Sequence, residues 1–318
     1  MLTSRENFLA FFTGKTYDYA PVWDDVKSFY PEEIAENIAR GFVWQEQPFD
    51  NSKFGGRGYF NIDWVFDPTV RGSIEVTHLF ENITQWREFV VFPNLDSIDW
   101  DGMKKRNEHY LNTDKILRTS IFSGFYERLI SFVGFENAAM ALVDDEAIEE
   151  VHEIFDKLSN IYSEFIYRMH KYCNVEIFEL HDDWGTQKST MFSRKTLEEV
   201  ILPYVKRVVD AAHEVGCLIE MHSCGHVDDF VPCMIEANID TWRGQTTAID
   251  RVSLINKYGD KFHLMYEFRP DDETTPVEQI LENVRKIKNE YKDKKIWYMV
   301  SAFTDKQIAK AIYDELKN

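Results

Sequence analysis

The chain has 318 residues, 44% of them hydrophobic, with only 14 Gly and 9 Pro, a composition that folds and buries a core without covalent staples. Its 36 Lys and Arg against 55 Asp and Glu leave a formal charge of −19, which argues against nucleic acid or an anionic membrane as partner. Four cysteines over this length are too sparse for a disulfide scaffold, and no apolar run approaches the roughly 20 residues that span a bilayer, so a cytoplasmic protein is expected.

In chain order, Thr3 or Ser4 caps a helix carrying Asn7, Phe8, Phe11 and Phe12, which reads as structure and not as a signal peptide. Residues 1–114 are rich in aromatics and irregular: Phe54 to Phe60 is a loop by its glycines, while Asp63 to Asp67 and Ile74 to Phe80 are extended pieces. Residues 115–318 are regular. Strands are expected over Lys115–Phe122, Val175–Leu180, Cys217–His222, from Thr241, over Lys261–Tyr266 and over Lys295–Val300. Helices are expected over Glu127–Leu142, Asp145–Tyr172 with Asp144 as cap, Ser193–Glu214 with a kink or break at Pro203, Asp228–Ala237, Val252–Tyr258, Val277–Glu290 and Thr304–Leu316. No linker divides the chain, so residues 1–318 are treated as one α/β domain. Strand, polar loop and helix in repetition predict parallel strands with helical crossovers, in a closed barrel or a doubly wound open sheet.

The polar clusters fall at strand ends, where such folds assemble their sites. In Glu220-Met221-His222-Ser223-Cys224-Gly225, the alternation of an extended strand points Glu220, His222 and Cys224 the same way. Imidazole and thiolate are ligands that zinc prefers, and Gly225 permits the turn that exposes Cys224. The second cluster is His181-Asp182-Asp183-Trp184-Gly185-Thr186-Gln187, whose adjacent carboxylates point to opposite sides, so that one faces the pocket. Asp182 and Asp183 are candidates for acid catalysis, and His181, Trp184 and Gln187 for substrate binding. Glu267, beyond the strand ending at Tyr266, competes with Glu220 as a carboxylate ligand. His78, His226 and His263 read as structural or exposed, and Cys173, Cys217 and Cys233 as buried small apolar residues. No Walker loop or G-x-G-x-x-G follows any strand, and no D-x-H-x-x-G pattern would anchor a corrinoid on the chain itself.

Asp182-Asp183-Trp184-Gly185-Thr186-Gln187, Ser193, Ile201-Leu202-Pro203-Tyr204, Ala211-Ala212-His213 and His222-Ser223-Cys224-Gly225 together resemble the core of the uroporphyrinogen decarboxylase superfamily. The resemblance extends upstream through Gly134-Phe135-Glu136-Asn137 and covers most of residues 115 to 265. It implies a (β/α)8 TIM barrel. The arginine-bearing R-Q-A-G-R-Y signature of true decarboxylases is replaced here by Pro21-Val22-Trp23-Asp24-Asp25-Val26, whereas the H-x-C motif of the zinc-dependent methyltransferase branch is matched by His222 and Cys224. The branch implies an O-demethylating enzyme that passes a methyl group from an aromatic methyl ether to the corrinoid of a separate corrinoid-binding protein, with zinc as Lewis acid. Relatives that act on thiols supply a further cysteine near the C-terminal strand; none follows Cys233 here, which leaves Glu220 or Glu267 as the expected third ligand. The alternatives are a corrinoid:thiol methyltransferase and a metal-free protein that binds a small ligand.

Overall fold

A computed structural model describes residues 1–43, 50–69, 72–269 and 275–318. Its strands are β1 (Val26–Ser28), β2 (Gly56–Arg57), β3 (Asp63–Asp67), β4 (Gly72–Glu75), β5 (Ile116–Ile121), β6 (Ile177–His181), β7 (Leu218–Ser223), β8 (Thr241–Gly244), β9 (His263–Phe268) and β10 (Ile296–Val300). Seven of them form one parallel sheet in the order β1-β5-β6-β7-β8-β9-β10. Val22 makes a parallel bridge to Tyr298, whose N–H donates to the Pro21 carbonyl at 2.9 Å, so the first and last strands meet and the sheet curls into a TIM-like barrel. The ring holds seven strands among the described residues, one fewer than the eight expected. β1 lacked a signal because it is only three residues long and follows directly on a helical turn at Trp23–Asp25.

Helices return the chain between strands, as the alternation predicted. Helix Ile148–Cys173, between β5 and β6, packs against Leu202–Glu214, between β6 and β7. Three local differences have backbone causes. The helix expected over Glu127–Leu142 is two, Tyr126–Val133 and Phe135–Ala141, broken at Gly134 with φ 79°. The helix capped by Ser193, whose Oγ accepts from Thr196 N–H, passes through a wide π turn at Leu197–Ile201. Pro203, with no N–H to donate back, sits in the first turn of the α-helix that resumes at Leu202. Asp144 accepts from Glu146 N–H at 2.9 Å and organises the turn before Ile148, so that helix starts later than expected.

Side chains alternate across each strand, and here both faces of the sheet are covered. Phe178 and Leu180 of β6, and Ile219 and Met221 of β7, are fully buried, and their strand neighbours line the barrel interior. That interior is layered. At the N-terminal end Val26, Ile116, Ile177, Leu218 and Trp297 pack against Phe8 and Phe11, so helix Ser4–Phe12 closes the bottom with hydrocarbon. One step up, the interior is ionic. Arg118 on β5 lies 2.8 Å from Glu179 on β6 and 2.7 Å from Glu220 on β7, and Arg243 on β8 pairs with both carboxylates. Burying single charges costs several kcal/mol each, so two guanidiniums facing two carboxylates is the tolerable arrangement. Burial works against a charged Glu179, yet Arg118 and Arg243 hold it well below the usual carboxylate range. Above this layer stand His181, the last residue of β6, and its register partner His222, one residue before the end of β7.

Outside the barrel, β2, β3 and β4 form a small antiparallel sheet with Val65 and Ile74 paired on its exposed side. No helix among the described residues is long and apolar enough to cross a membrane.

Candidate functional site

The C-terminal ends of β6 and β7 deliver His181 and His222 side by side, with ring centroids 4.5 Å apart. His222 Nδ1 lies 2.8 Å from the Arg243 carbonyl. A carbonyl only accepts, so Nδ1 carries the proton and the Nε2 lone pair faces the barrel mouth. Asp183 Oδ1 lies 4.0 Å from that Nε2, and the Cys224 sulfur 3.5 Å from it. One ligand atom each from His181, Asp183 and His222 falls within a span of 4.8 Å, the density at which donors share a cation.

The local backbone explains the convergence. The Cys224 N–H donates to Asp183 Oδ1 at 2.6 Å, tying the loop after β7 to the loop after β6. Gly225 adopts φ 82°, and a Cβ there would stand 2.2 Å from the Gly185 carbonyl carbon, so the two loops pack backbone on backbone. Gln187 donates to Gln245 Oε1 at 2.8 Å, and the same oxygen accepts from the Gly225 N–H at 2.9 Å.

Electrostatics keeps this cluster poor in protons on nitrogen. Burial, then Arg243 and His181, pushes His222 well below its usual value, and burial lowers His181 as well. Both imidazoles are neutral, as ligands must be. Burial raises the Cys224 thiol to about 12, with Asp183 adding to the effect. A cation between these groups is what would convert that thiol to thiolate.

Several residues named from sequence sit elsewhere. Asp182 is fully buried and accepts from the N–H groups of Phe125, Tyr126 and Glu127 and from the Trp184 indole at 2.8 to 3.1 Å. It caps helix Tyr126–Val133 and does not reach the mouth, so of the two candidate acids Asp183 alone joins the cluster. Burial lifts Asp182 to about 6 against those four donors. Trp184 has no exposed surface and packs on Phe192 and Phe230, which places it in the wall and not against a substrate. Gln187 is exposed and holds a loop. Neither carboxylate expected as third ligand comes to the cluster. Glu220 is occupied by Arg118 and Arg243, and Glu267 by Arg269 at 3.0 Å and Thr246 at 2.5 Å. Alternation had set Glu220 on the same interior face as His222, but one layer lower, among the arginines.

Two features escaped the sequence reading. Asp183 and His181, named for acid catalysis and substrate binding, stand as donors beside His222, and Arg118, Glu179 and Arg243 form the floor beneath them. A signal for both was present: Glu179-Leu180-His181 and Glu220-Met221-His222 repeat the same E-x-H at the ends of adjacent strands, one carboxylate for the floor and one imidazole for the rim. The bland readings stand elsewhere. His78 pairs with Glu81 at the surface, His226 donates from Nδ1 to the Ala248 carbonyl, His263 is buried, and Cys173, Cys217 and Cys233 are buried free thiols.

A family model described as uroporphyrinogen decarboxylase (URO-D) matches residues 129–302, more than half of the chain. A methyltransferase from Methanosarcina mazei superposes with a TM-score of 0.69 at 10% identity, over 99% of this chain and 98% of its own. An endo-beta-1,4-xylanase of glycoside hydrolase family 10 from Gloeophyllum trabeum gives a TM-score of 0.45 at 10% identity, over 76% and 85% of the two chains. No curated protein sequence matches.

Proposed function

The chain belongs to the uroporphyrinogen decarboxylase family, and within it we propose a methyltransferase that moves the methyl group of a methoxylated aromatic to the corrinoid of a partner protein. The observation that carries the reading is the meeting of His181, the Asp183 carboxylate and His222 at the ends of two adjacent strands, with the Cys224 sulfur 3.5 Å from His222 Nε2 beside that group. The full-length likeness in fold to a methyltransferase supports it.

This donor set fits zinc: two imidazoles and a carboxylate, with a thiol next to His222, His222 fixed in the right tautomer by the Arg243 carbonyl and Asp183 steadied by the Cys224 N–H. When bound, zinc would act as a Lewis acid toward the ether oxygen, whose phenolate is otherwise a poor leaving group. The chain's own residues orient and stabilise. His181, Asp183 and His222 would hold the cation at the rim, where it can meet the oxygen's developing negative charge, and the ionic floor of Arg118, Glu179, Glu220 and Arg243 ties together the strands that carry the two imidazoles. In the transfer, the methyl–oxygen bond breaks and its electron pair stays on oxygen, which takes a proton from solvent to become the phenol. The methyl carbon bonds to cobalt through the two electrons of the reduced cob(I) corrinoid, so the partner supplies the nucleophile and this chain supplies position and charge.

Purified protein is expected to hold about one zinc per chain, and His222→Ala and Cys224→Ala to lose it together with more than about 100-fold of methyl transfer from methoxyaromatics to a reduced corrinoid protein. Wild-type protein that binds no zinc and transfers no methyl group refutes the reading.

A further inference from the structure

The three donors at the mouth leave a tetrahedral ion one position short, and helix Tyr126–Val133 brings a further carboxylate beside them. Asp182 caps that helix. Its Oδ1 accepts from the Glu127 N–H at 2.8 Å, which ties the first helical turn to the loop that carries Asp183. In return the Asp183 N–H is directed at the Glu127 carboxylate. This clamp leaves one oxygen over. Glu127 Oε2 is buried without a hydrogen-bond partner, and it lies 3.8 Å from His181 Nε2.

An unused carboxylate oxygen is not by itself a ligand, and Asp228 Oδ1 is another. That oxygen faces His226 Nδ1 at 4.0 Å, a nitrogen that already donates to the Ala248 carbonyl. Glu127 differs in its company. Burial first, then the charge of Asp183, pushes Glu127 well above the usual carboxylate range; Arg40 attracts it less than Asp183 repels it, and Asp182 adds to the repulsion. Two carboxylates that oppose each other beside two neutral imidazoles lack a positive charge among them. The spacing agrees. Two donors on one tetrahedral zinc, each about 2.0–2.1 Å from it, stand roughly 3.3 Å apart. Glu127 Oε2 is as near to His181 Nε2, at 3.8 Å, as Asp183 Oδ1 is to His222 Nε2, at 4.0 Å. Glu127 lies outside the 4.8 Å span of the other three, so the ion has to draw its carboxylate inward past His181.

We infer that Glu127 is a fourth protein ligand to the cation, joining His181, Asp183 and His222. This rests on the metal site proposed above and not on the methyl transfer. The donor set becomes two imidazoles and two carboxylates, with the Cys224 thiol beside His222. One bound ion then answers both the repulsion between the carboxylates and the unused oxygen.

The test reads the metal and not the reaction. Zinc affinity is measured by competition with a chromophoric chelator, and cobalt(II) is loaded in its place so that its visible d–d bands report the number and kind of ligands. Glu127→Gln is expected to raise the zinc Kd about 100-fold and to shift the d–d bands. Glu127→Asp, which keeps the carboxylate on a shorter stem, is expected in between. Metal-free Glu127→Gln is expected to melt no lower than metal-free wild type, because the amide removes the repulsion with Asp183, and zinc should raise its Tm by less. If Glu127→Gln keeps the wild-type Kd and spectrum, the inference is overturned. A higher Kd with unmoved cobalt bands overturns it too, since Glu127 then acts only through His181. A lower Tm for the metal-free variant, again with unmoved bands, marks a structural clamp and has the same force. Wild type that binds neither ion removes the metal site and the inference together. Cobalt bands that depend on Glu127, in a protein that transfers no methyl group from any methoxyaromatic, sink the methyltransferase reading and leave the ligand.

Discussion

The two ends of the barrel are built from the same strands and do opposite work. At the bottom, Ile177 and Leu218 meet the Phe8 and Phe11 rings in a dry plug. Four residues further along each strand, on the same interior face, His181 and His222 meet at the mouth. Between them sits the ionic layer of Arg118, Glu179, Glu220 and Arg243. Stability is concentrated at the end that touches no substrate, which frees the other end to hold neutral imidazoles, a thiol and charged groups that make poor core. The bottom should therefore respond to mutation in stability and the top in binding and rate.

The largest expected effect tests the bottom. Phe8→Ala empties space next to Phe12 and Trp297 and should cost about 3–5 kcal/mol in denaturant unfolding, while zinc content per folded chain stays at the wild-type value. Loss of metal at full folding would break the division. A slightly smaller effect comes from His263, held between Phe11 and Phe12 with centroids 5.2 and 4.4 Å away. Burial, then Lys295, pushes it down to about 4. Because its folded value lies below the unfolded value of about 6.5, the unfolded chain takes up the proton first. Its contribution is complete above about pH 6.5 and is lost as pH falls toward 4, about 3 kcal/mol in all. Unfolding free energies of wild type and His263→Phe between pH 7.5 and pH 4 should differ in slope by that amount; equal slopes would remove His263 from the account. The smallest effect probes the junction between wall and mouth. Asp182→Ala strips the acceptor from three backbone N–H groups and the Trp184 indole and should cost about 2 kcal/mol, with Asp182→Asn recovering part of it. A catalytic acid would behave otherwise, losing rate in both variants without a change in Tm.

The same contrast explains what could be read in the sequence. β5, β6, β7, β9 and β10 were legible within two residues as short apolar-rich runs set between polar segments, β5 despite its Arg118, Thr119 and Ser120. The convergence of His222 and Cys224 followed from alternation alone. Alternation gives the face but not the height or the occupant opposite, and that is why Glu220 was expected at the metal. Its partners Arg118 and Arg243 lie 102 and 23 residues away, a pairing no local pattern announces. Asp182 and Asp183 were separated to opposite sides correctly, but which of them meets the mouth depends on the helix that begins at Tyr126, 56 residues upstream of Asp182.

The closure of the ring has a consequence for where it loosens. β6 and β7 share five register pairs and β8 and β9 two, whereas β10 meets the start of the chain through the single Val22–Tyr298 bridge. Thermal breathing should run to that weak seam, which in the strand order lies across the barrel from β7. Any loosening should therefore begin on that flank, while the pair of strands that holds the imidazoles stays zipped.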